Sequence, residues 1–278
     1  MQKAICFGAA GGAKRLYQEI IQNYEVIGFA DNDRNKWGTT LFSLAVMSPQ
    51  ECLQKEYEVI IITSAPGLET IRQQLLAMGV RERDIISHYV SAPLESRKVF
   101  LEKMACLQKD LNEGICVAEA GVFEGDFARW INAYYPSRTL HLFDTFEGFD
   151  ARDISKEGGL SEARSGEYSN TTTELVMSKM SEPEMVKIHK GFFPETAAEI
   201  QDHFCFVNLD LDLYEPTYRG LRWFQDKMVS GGVILVHDYF AENFKGPRQA
   251  VEQFLEESEG RYHKFPIGDG ISIMVTGF

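Results

Sequence analysis

The chain repeatedly sets a short apolar run ahead of an amphipathic stretch, and that alternation restricts its fold more than any other feature. Residues 3–8 (KAICFG), 25–30 (EVIGFA) and 58–63 (EVIIIT) are rich in β-branched and aromatic side chains and too short for buried helices. Between them, residues 13–23 and 68–78 carry helical periodicity, with Pro66-Gly67 opening the second helix and Gly79 ending it; residues 83–87 read as a last strand. A β-α-β order needs crossover helices and therefore parallel strands, which predicts a doubly wound sheet of about 90 residues.

A second series follows. Residues 115–120 (ICVAEA), 139–143 (TLHLF), 186–189 (VKIH), 204–211 (FCFVNLDL) and 233–236 (VILV) read as strands, with helices over 126–133 and 217–228 and a turn at Gly231-Gly232 before the last strand. Between the two series, residues 93–112 place Phe100, Met104, Leu107 and Leu111 on one helical stripe, which suits a linking helix or the seam of a homodimer. The expected fold class is α/β with two doubly wound Rossmann-like domains: 1–92 as an accessory domain, 93–112 as the linking helix and 113–278 as the catalytic domain. Residues 151–172 are polar and aperiodic, and a connection of that length suits a lid over a bound ligand.

Charge narrows the ligand classes. The first 90 residues hold 9 Lys/Arg and 10 Asp/Glu, whereas the remaining 19 and 31 give the rest of the chain a net charge of −12. Such a surface argues against nucleic acid, whose affinity rests on phosphate neutralisation, but not against a small molecule. Five cysteines without C-x-x-C spacing predict free thiols, not a disulfide framework or zinc motif. No apolar run reaches the ~18 residues of a membrane span, and MQKAICFGAA lacks a signal peptide's apolar core, so a cytoplasmic location is expected.

Two glycine-rich turns follow first strands. Gly8-Ala-Ala-Gly11-Gly12 opens a helix, with Asp31 placed 23 residues after Gly8, where a ribose-binding acid would sit; the pattern is G-x-x-G-G, not the full dinucleotide fingerprint, and a tight turn in a docking or regulatory domain is the preferred reading over nucleotide binding. In Glu119-Ala-Gly121-Val-Phe-Glu-Gly125-Asp126, an acid precedes two glycines, and Asp144 ends the next strand. Glu119 would meet a cationic or hydroxylated group, and Asp144 could take both ribose hydroxyls. Acids in both places favour S-adenosylmethionine over NAD, because a sulfonium is positive and no pyrophosphate needs cradling. Gly191 and Phe192, after the fourth strand of this series, are expected to border the adenine, with Phe193 either there or in the core. His141 and His189 read as core histidines.

The segment Phe206-Val-Asn-Leu-Asp210-Leu-Asp212-Leu-Tyr214-Glu-Pro-Thr217 places carboxylates in an apolar strand, where ionised groups persist only if paired or ligating. Residues two apart on a strand share a face, so Asp210 and Asp212 should project together. The next strand ends in His237-Asp238-Tyr239, and parallel neighbours bring these ends to one rim. Hard oxygen donors with an imidazole suit Mg²⁺ or a similar divalent ion, held by Asp210, His237 and Asp238.

The pieces EAGVFEGDFA, HLFDTFEGF, KGFFPET, LDLDLYEPT and GGVILVHDY resemble, in order and spacing, the macrocin O-methyltransferase family of class I S-adenosylmethionine enzymes. The resemblance implies methyl transfer to a hydroxyl of a sugar or glycosylated substrate, Asp210 and Asp238 as metal ligands, and Asp212 as general base; Asp210 also lies against the cofactor. The family's pattern has a second Asp where this chain has His237, an imidazole that can still ligate but removes a negative charge. The front domain looks like Rossmann-type modules of sugar-modifying enzymes, through Asp31-Asn-Asp33…Lys36-Trp-Gly38. Two other classes fit less of the chain: an NAD-dependent sugar oxidoreductase, for which residues 1–90 offer no Tyr-x-x-x-Lys pair, and a non-catalytic module that only binds S-adenosylmethionine.

Overall fold

A computed structural model describes residues 1–65, 67–112, 114–161 and 163–278; Pro66, expected in a turn, lies outside the described residues. The chain divides into two compact units, Met1–Glu95 and Ser96–Phe278. No helix among the described residues is long and apolar enough to cross a membrane.

The front unit contains β1 (Gln2–Phe7), α1 (Gly11–Ile20), β2 (Tyr24–Ala30), β3 (Thr40–Leu41), β4 (Leu44–Met47), α2 (Pro49–Cys52), β5 (Val59–Ile62), α3 (Leu68–Ala77) and β6 (Ile85–Ile86). Val-Ile-Ile-Ile in β5 is buried throughout, the signature of a strand covered on both faces. The helix α1 buries Ala13, Leu16 and Ile20, one stripe at helical spacing. The sheet order is β3-β4-β2-β1-β5-β6, all parallel except the β3–β4 hairpin. That hairpin turns at Phe42 and Ser43, both left-handed (φ 52° and 64°), without the Asn-Gly that normally signals such a turn.

The helix α4 (His88–Leu107) begins five residues before the expected linking helix, keeps Pro93 inside it, and contains the division between the units. Its apolar stripe also differs from expectation. Leu107 is 77% exposed, whereas Arg97, Leu101, Ala105 and Gln108 are buried, so the inward face is rotated by about one residue and carries two polar side chains.

The rear unit continues with β7 (Cys116–Ala120), α5 (Ala128–Tyr134), β8 (Leu140–Asp144), α6 (Ala151–Ile154), α7 (Thr173–Ser178), β9 (Val186–Lys190), β10 (Phe204–Leu209), α8 (Tyr214–Phe224), β11 (Met228–Val236), α9 (Gly246–Glu257), β12 (His263–Pro266) and β13 (Ile273–Thr276). Its order is β12-β13-β11-β10-β7-β8-β9; five strands are parallel, and β13 runs antiparallel to both β11 and β12. Gly231 and Gly232 lie inside β11, not in a turn before it. The direction of winding reverses between β7 and β10, which is where open α/β sheets bind ligands.

Candidate active site

The site grows from the carboxyl ends of β7, β8, β10 and β11. The strand β7 runs one residue beyond Glu119, so this acid does not end the strand at the rim but lies beneath it, buried opposite Asn208 in register. Asn208 Nδ2 donates to Glu119 Oε1 at 2.8 Å, and Glu119 Oε2 has no protein partner. Burial, and after it the charge of Asp210, raises the Glu119 carboxyl well above its ordinary range.

Gly121 and Gly125 both adopt positive φ, at 82° and 80°. A Cβ on Gly121 would overlap the Asp210 carbonyl, and one on Gly125 would press on Val176 at 3.1 Å. These glycines therefore let β10 and α7 approach the turn, a packing demand that the expected cofactor role did not foresee.

Asp144 ends β8 as expected, but its oxygens are largely engaged. Oδ2 accepts from the N–H groups of Val122 and Phe123 at 2.7 and 3.0 Å, and Oδ1 from Phe146 at 2.7 Å. A carboxylate has about four acceptor sites, so room remains for one more donor, not for two ribose hydroxyls at once. The carboxylate thus fixes the glycine turn to the strand end. Gly191 donates its N–H to the Asp144 carbonyl at 2.9 Å, while Phe192 lies under the Arg152 guanidinium, 3.7 Å from the ring centre, and borders a cavity of about 320 Å³ together with Lys156, Glu195 and Arg219. Phe193 is buried in the core.

The strand β10 stops at Leu209, so Asp210 and Asp212 stand on the loop after it and do not share a strand face. The loop nevertheless gathers the acids. Asp210 Oδ1 and Asp238 Oδ2 each lie 3.0 Å from His237 Nδ1, and the donor atoms of these three residues fall within 4.8 Å of one another. Asp212 shares a hydrogen bond with Asp238, and both residues hold left-handed backbones, φ 59° and 57°. Burial, then the neighbouring Asp238 and Asp210, raises Asp212 well above its ordinary value. Asp210 and Asp238 titrate low despite burial because His237 faces both, with Arg97 also beside Asp210. Burial and Arg97 would lower His237, but the two carboxylates prevail and raise it to about 9.

Arg97 escaped sequence reasoning. From the inward face of α4 its Nη2 donates to Asn208 Oδ1 at 2.9 Å and Asp210 Oδ2 at 3.1 Å, while its guanidinium stacks 4.1 Å from the centre of Phe127. It supplies the positive charge that makes a buried Glu119–Asn208–Asp210 row tolerable. The only sequence signal was an arginine at helical spacing from Leu101, Ala105 and Gln108.

Residues 166–171 are pinned to the rim. Gly166 donates its N–H to the Phe149 carbonyl and Phe149 donates its own to the Glu167 carbonyl, Thr171 Oγ1 donates to the Phe123 carbonyl, and Tyr168 packs edge-on against Phe123 and Phe149. Burial, then the charges of Asp212, Glu167, Asp238 and Asp210, pushes Tyr168 above its ordinary value, so this loop contributes a phenol near the acids.

Away from the rim, His141 Nδ1 and His189 Nε2 lie 3.0 Å apart. Burial, and then His189, pushes His141 down to about 4, keeping it neutral. In the front unit, Asp31 is spent on structure: it accepts from the N–H groups of Ala9 and Asp33 and pairs with Lys36 at 2.9 Å.

The sequence profile of the macrocin O-methyltransferase (TylF) family matches residues 101–262, and a C2185-like N-terminal profile matches residues 1–86. Among solved structures, the O-methyltransferase NovP superposes with a TM-score of 0.55 at 20% identity, covering 64% of this chain and 78% of that one. The calicheamicin methyltransferase CalS11 superposes at 0.53 and 19% identity, covering 87% of this chain and 98% of that one. These likenesses establish the Rossmann-like class I methyltransferase fold. No curated protein matches the chain.

Proposed function

This chain belongs to the macrocin O-methyltransferase family and is a methyltransferase, and from that premise we propose that it moves a methyl group from S-adenosylmethionine to a hydroxyl of a sugar or glycosylated small molecule. The observation that carries the reading is the gathering of Asp210, Asp212, His237 and Asp238 at the point where the sheet reverses its winding.

The residues present fit the cofactor. Glu119 Oε2 is a buried oxygen without a protein partner beneath the rim, and Asp144 retains one acceptor site beside the Gly121–Gly125 turn. With Asp210, Gly191 and Phe192, these residues form the proposed cofactor side. An alcohol is a poor nucleophile at neutral pH, so a base must take its proton as the new O–C bond forms and the S–C bond breaks. Asp212 is the proposed base, after the proton it shares with Asp238 has left. The lid over residues 151–172 would exclude water and place Tyr168 beside the acceptor.

Asp210, His237 and Asp238 also fit a divalent ion such as Mg²⁺, since two carboxylates and an imidazole converge within one coordination radius. When bound, the ion would supply Lewis acidity toward the acceptor oxygen. Until then the imidazolium of His237 holds the two carboxylates together by donating its Nδ1–H between them.

Calorimetry with S-adenosylhomocysteine and transfer of a labelled methyl group from S-adenosylmethionine across a panel of free, nucleotide-linked and glycosidic sugars test the proposal. Asp212→Asn should lower turnover by roughly 10²–10⁴-fold and leave cofactor affinity within a few-fold. Cofactor binding without a methylated product from any acceptor would instead identify a non-catalytic binding module, and failure to bind S-adenosylhomocysteine would remove the donor assignment.

A further inference from the structure

A second group of metal-type donors lies at the opposite end of the rear sheet. Cys116 opens β7, His141 is the second residue of β8, and Asp202 precedes β10. The thiol, the imidazole nitrogen and a carboxylate oxygen fall within 4.8 Å of one another. The four-residue step from Cys116 to Ala120 along β7 puts this group about 13 Å from the rim that carries the acids.

Two features separate this group from ordinary core packing. His141 is 1% exposed, yet its Nε2 makes no hydrogen bond, although Asp202 Oδ2 stands 3.3 Å away. The other ring nitrogen, Nδ1, is 3.0 Å from His189 Nε2, in the place where a metal-ligating histidine normally donates its second N–H to an orienting acceptor. With that tautomer, the Nε2 lone pair faces a thiol and a carboxylate, an arrangement of electron-rich atoms that a cation would satisfy. Cys116 Sγ lies 3.8 Å from the Gly114 carbonyl and also bonds the Thr139 side chain, while Asp202 is partly exposed and opens a path from solvent.

We propose that Cys116, His141 and Asp202 bind a zinc-class divalent ion, with His189 orienting the imidazole and a water completing a tetrahedral set. A thiolate–imidazole–carboxylate set suits Zn²⁺ better than the oxygen-preferring Mg²⁺ proposed for the rim. On binding, the Cys116 S–H bond is replaced by an S–metal bond and the proton is released to solvent. The ion would join β7, β8 and the segment before β10 and would act on stability, since its distance from the rim places it outside the methyl-transfer chemistry.

The test uses the full chain without a histidine tag and with Cys106→Ser, because Cys106 is an exposed thiol. Titration with Co²⁺ alone should produce a thiolate-to-metal charge-transfer band that saturates by two equivalents, with the rim taking the second ion silently, since the thiol-free rim cannot give this signal. The band should disappear in Cys116→Ser and persist in Cys205→Ala, whose thiol is buried on the other face of the sheet. Asp202→Asn, at a partly exposed position that does not threaten folding, should weaken Zn²⁺ affinity roughly tenfold or more, and His189→Phe by about 10–100-fold. Absence of the band, its survival in Cys116→Ser, or unchanged Zn²⁺ affinity in Asp202→Asn would overturn the proposal and leave His141 as a core histidine bonded only to His189.

Discussion

The two units use one device to different ends. In each, a glycine-bearing turn follows the first strand and an acid at the end of the second strand accepts that turn's N–H groups: Asp31 from Ala9, and Asp144 from Val122 and Phe123. In the front unit the next strand across the reversal point, β5, ends in Thr63, whose hydroxyl donates to the carbonyls of Phe7 and Gly8, and Lys36 neutralises Asp31. In the rear unit the corresponding strand, β10, carries Asn208 and leads into Asp210 and Asp212, and β11 leads into His237 and Asp238. The glycine turn and its acid are thus architecture common to both sheets. The chemistry resides in the strand ends beyond the reversal, where one unit closes its polar groups on themselves and the other leaves them charged.

That contrast can be broken by substitution. Arg97→Met should destabilise the rear unit by about 3–5 kcal/mol, because it removes the guanidinium that bonds both Asn208 and Asp210 in the buried row and leaves Asp210 to His237 alone. Lys36→Met, which removes a half-exposed partner of Asp31, should cost about 1 kcal/mol or less. Urea unfolding of both variants measures the difference, and equal losses would refute the claim that the two acids are held differently.

Gly121→Ala should cost about 2–4 kcal/mol, since the new Cβ meets the Asp210 backbone at a left-handed position and moves the catalytic loop with it. Gly38→Ala in the front unit shares the left-handed backbone but meets open space, and about 1 kcal/mol is expected from the same unfolding curves. A transfer assay sharpens this pair: Gly121→Ala should also lower methyl transfer, and Gly38→Ala should leave it unchanged.

A further contrast appears on changing pH. His237 rises from 6.5 when unfolded to about 9 when folded, so its stabilisation is complete below about pH 6.5 and fades as pH rises through 9. Asp31 is lowered from 3.8 by Lys36 and its N–H donors against the opposing effect of burial, so its stabilisation is present above 3.8 and lost in stronger acid. In chelator, melting points should therefore lose their alkaline slope in His237→Gln and part of their acid slope in Asp31→Asn. Superimposable pH curves for His237→Gln and the parent chain would contradict the ion-pair assignment.

Strands with continuous apolar runs, such as residues 59–62 and 204–207, were legible because burial on both faces admits few other sequences. The motif residues were legible as a set, yet their individual placements were less so. Glu119 lies beneath the rim because Ala120, not the acid, ends β7, and Asp212 reached Asp238 through a left-handed turn that alternation along a strand does not describe. The α4 seam was misjudged for a related reason. Arg97 and Gln108 occupy inward positions that a hydrophobic pattern assigns to the surface, and each is buried only because β10 or β11 supplies acceptors far away in sequence, as the carbonyls of Cys205 and Gly231 do for Gln108. The strands β3, β12 and β13 escaped notice because two to four residues carry too little periodicity.

The antiparallel pair β12–β13 has a consequence for solubility. The outermost strand, β12, is four residues long and ends in Pro266, a residue without an N–H, and both its shortness and that proline discourage another chain from adding on. Removing this hairpin would bare the flank of Val-Ile-Leu-Val in β11, a short, uncharged, β-branched run of the kind that seeds aggregation. The C-terminal hairpin therefore acts as a guard for the sheet behind it, and a chain truncated before residue 263 should be lost to precipitation before any defect in methyl transfer could be measured.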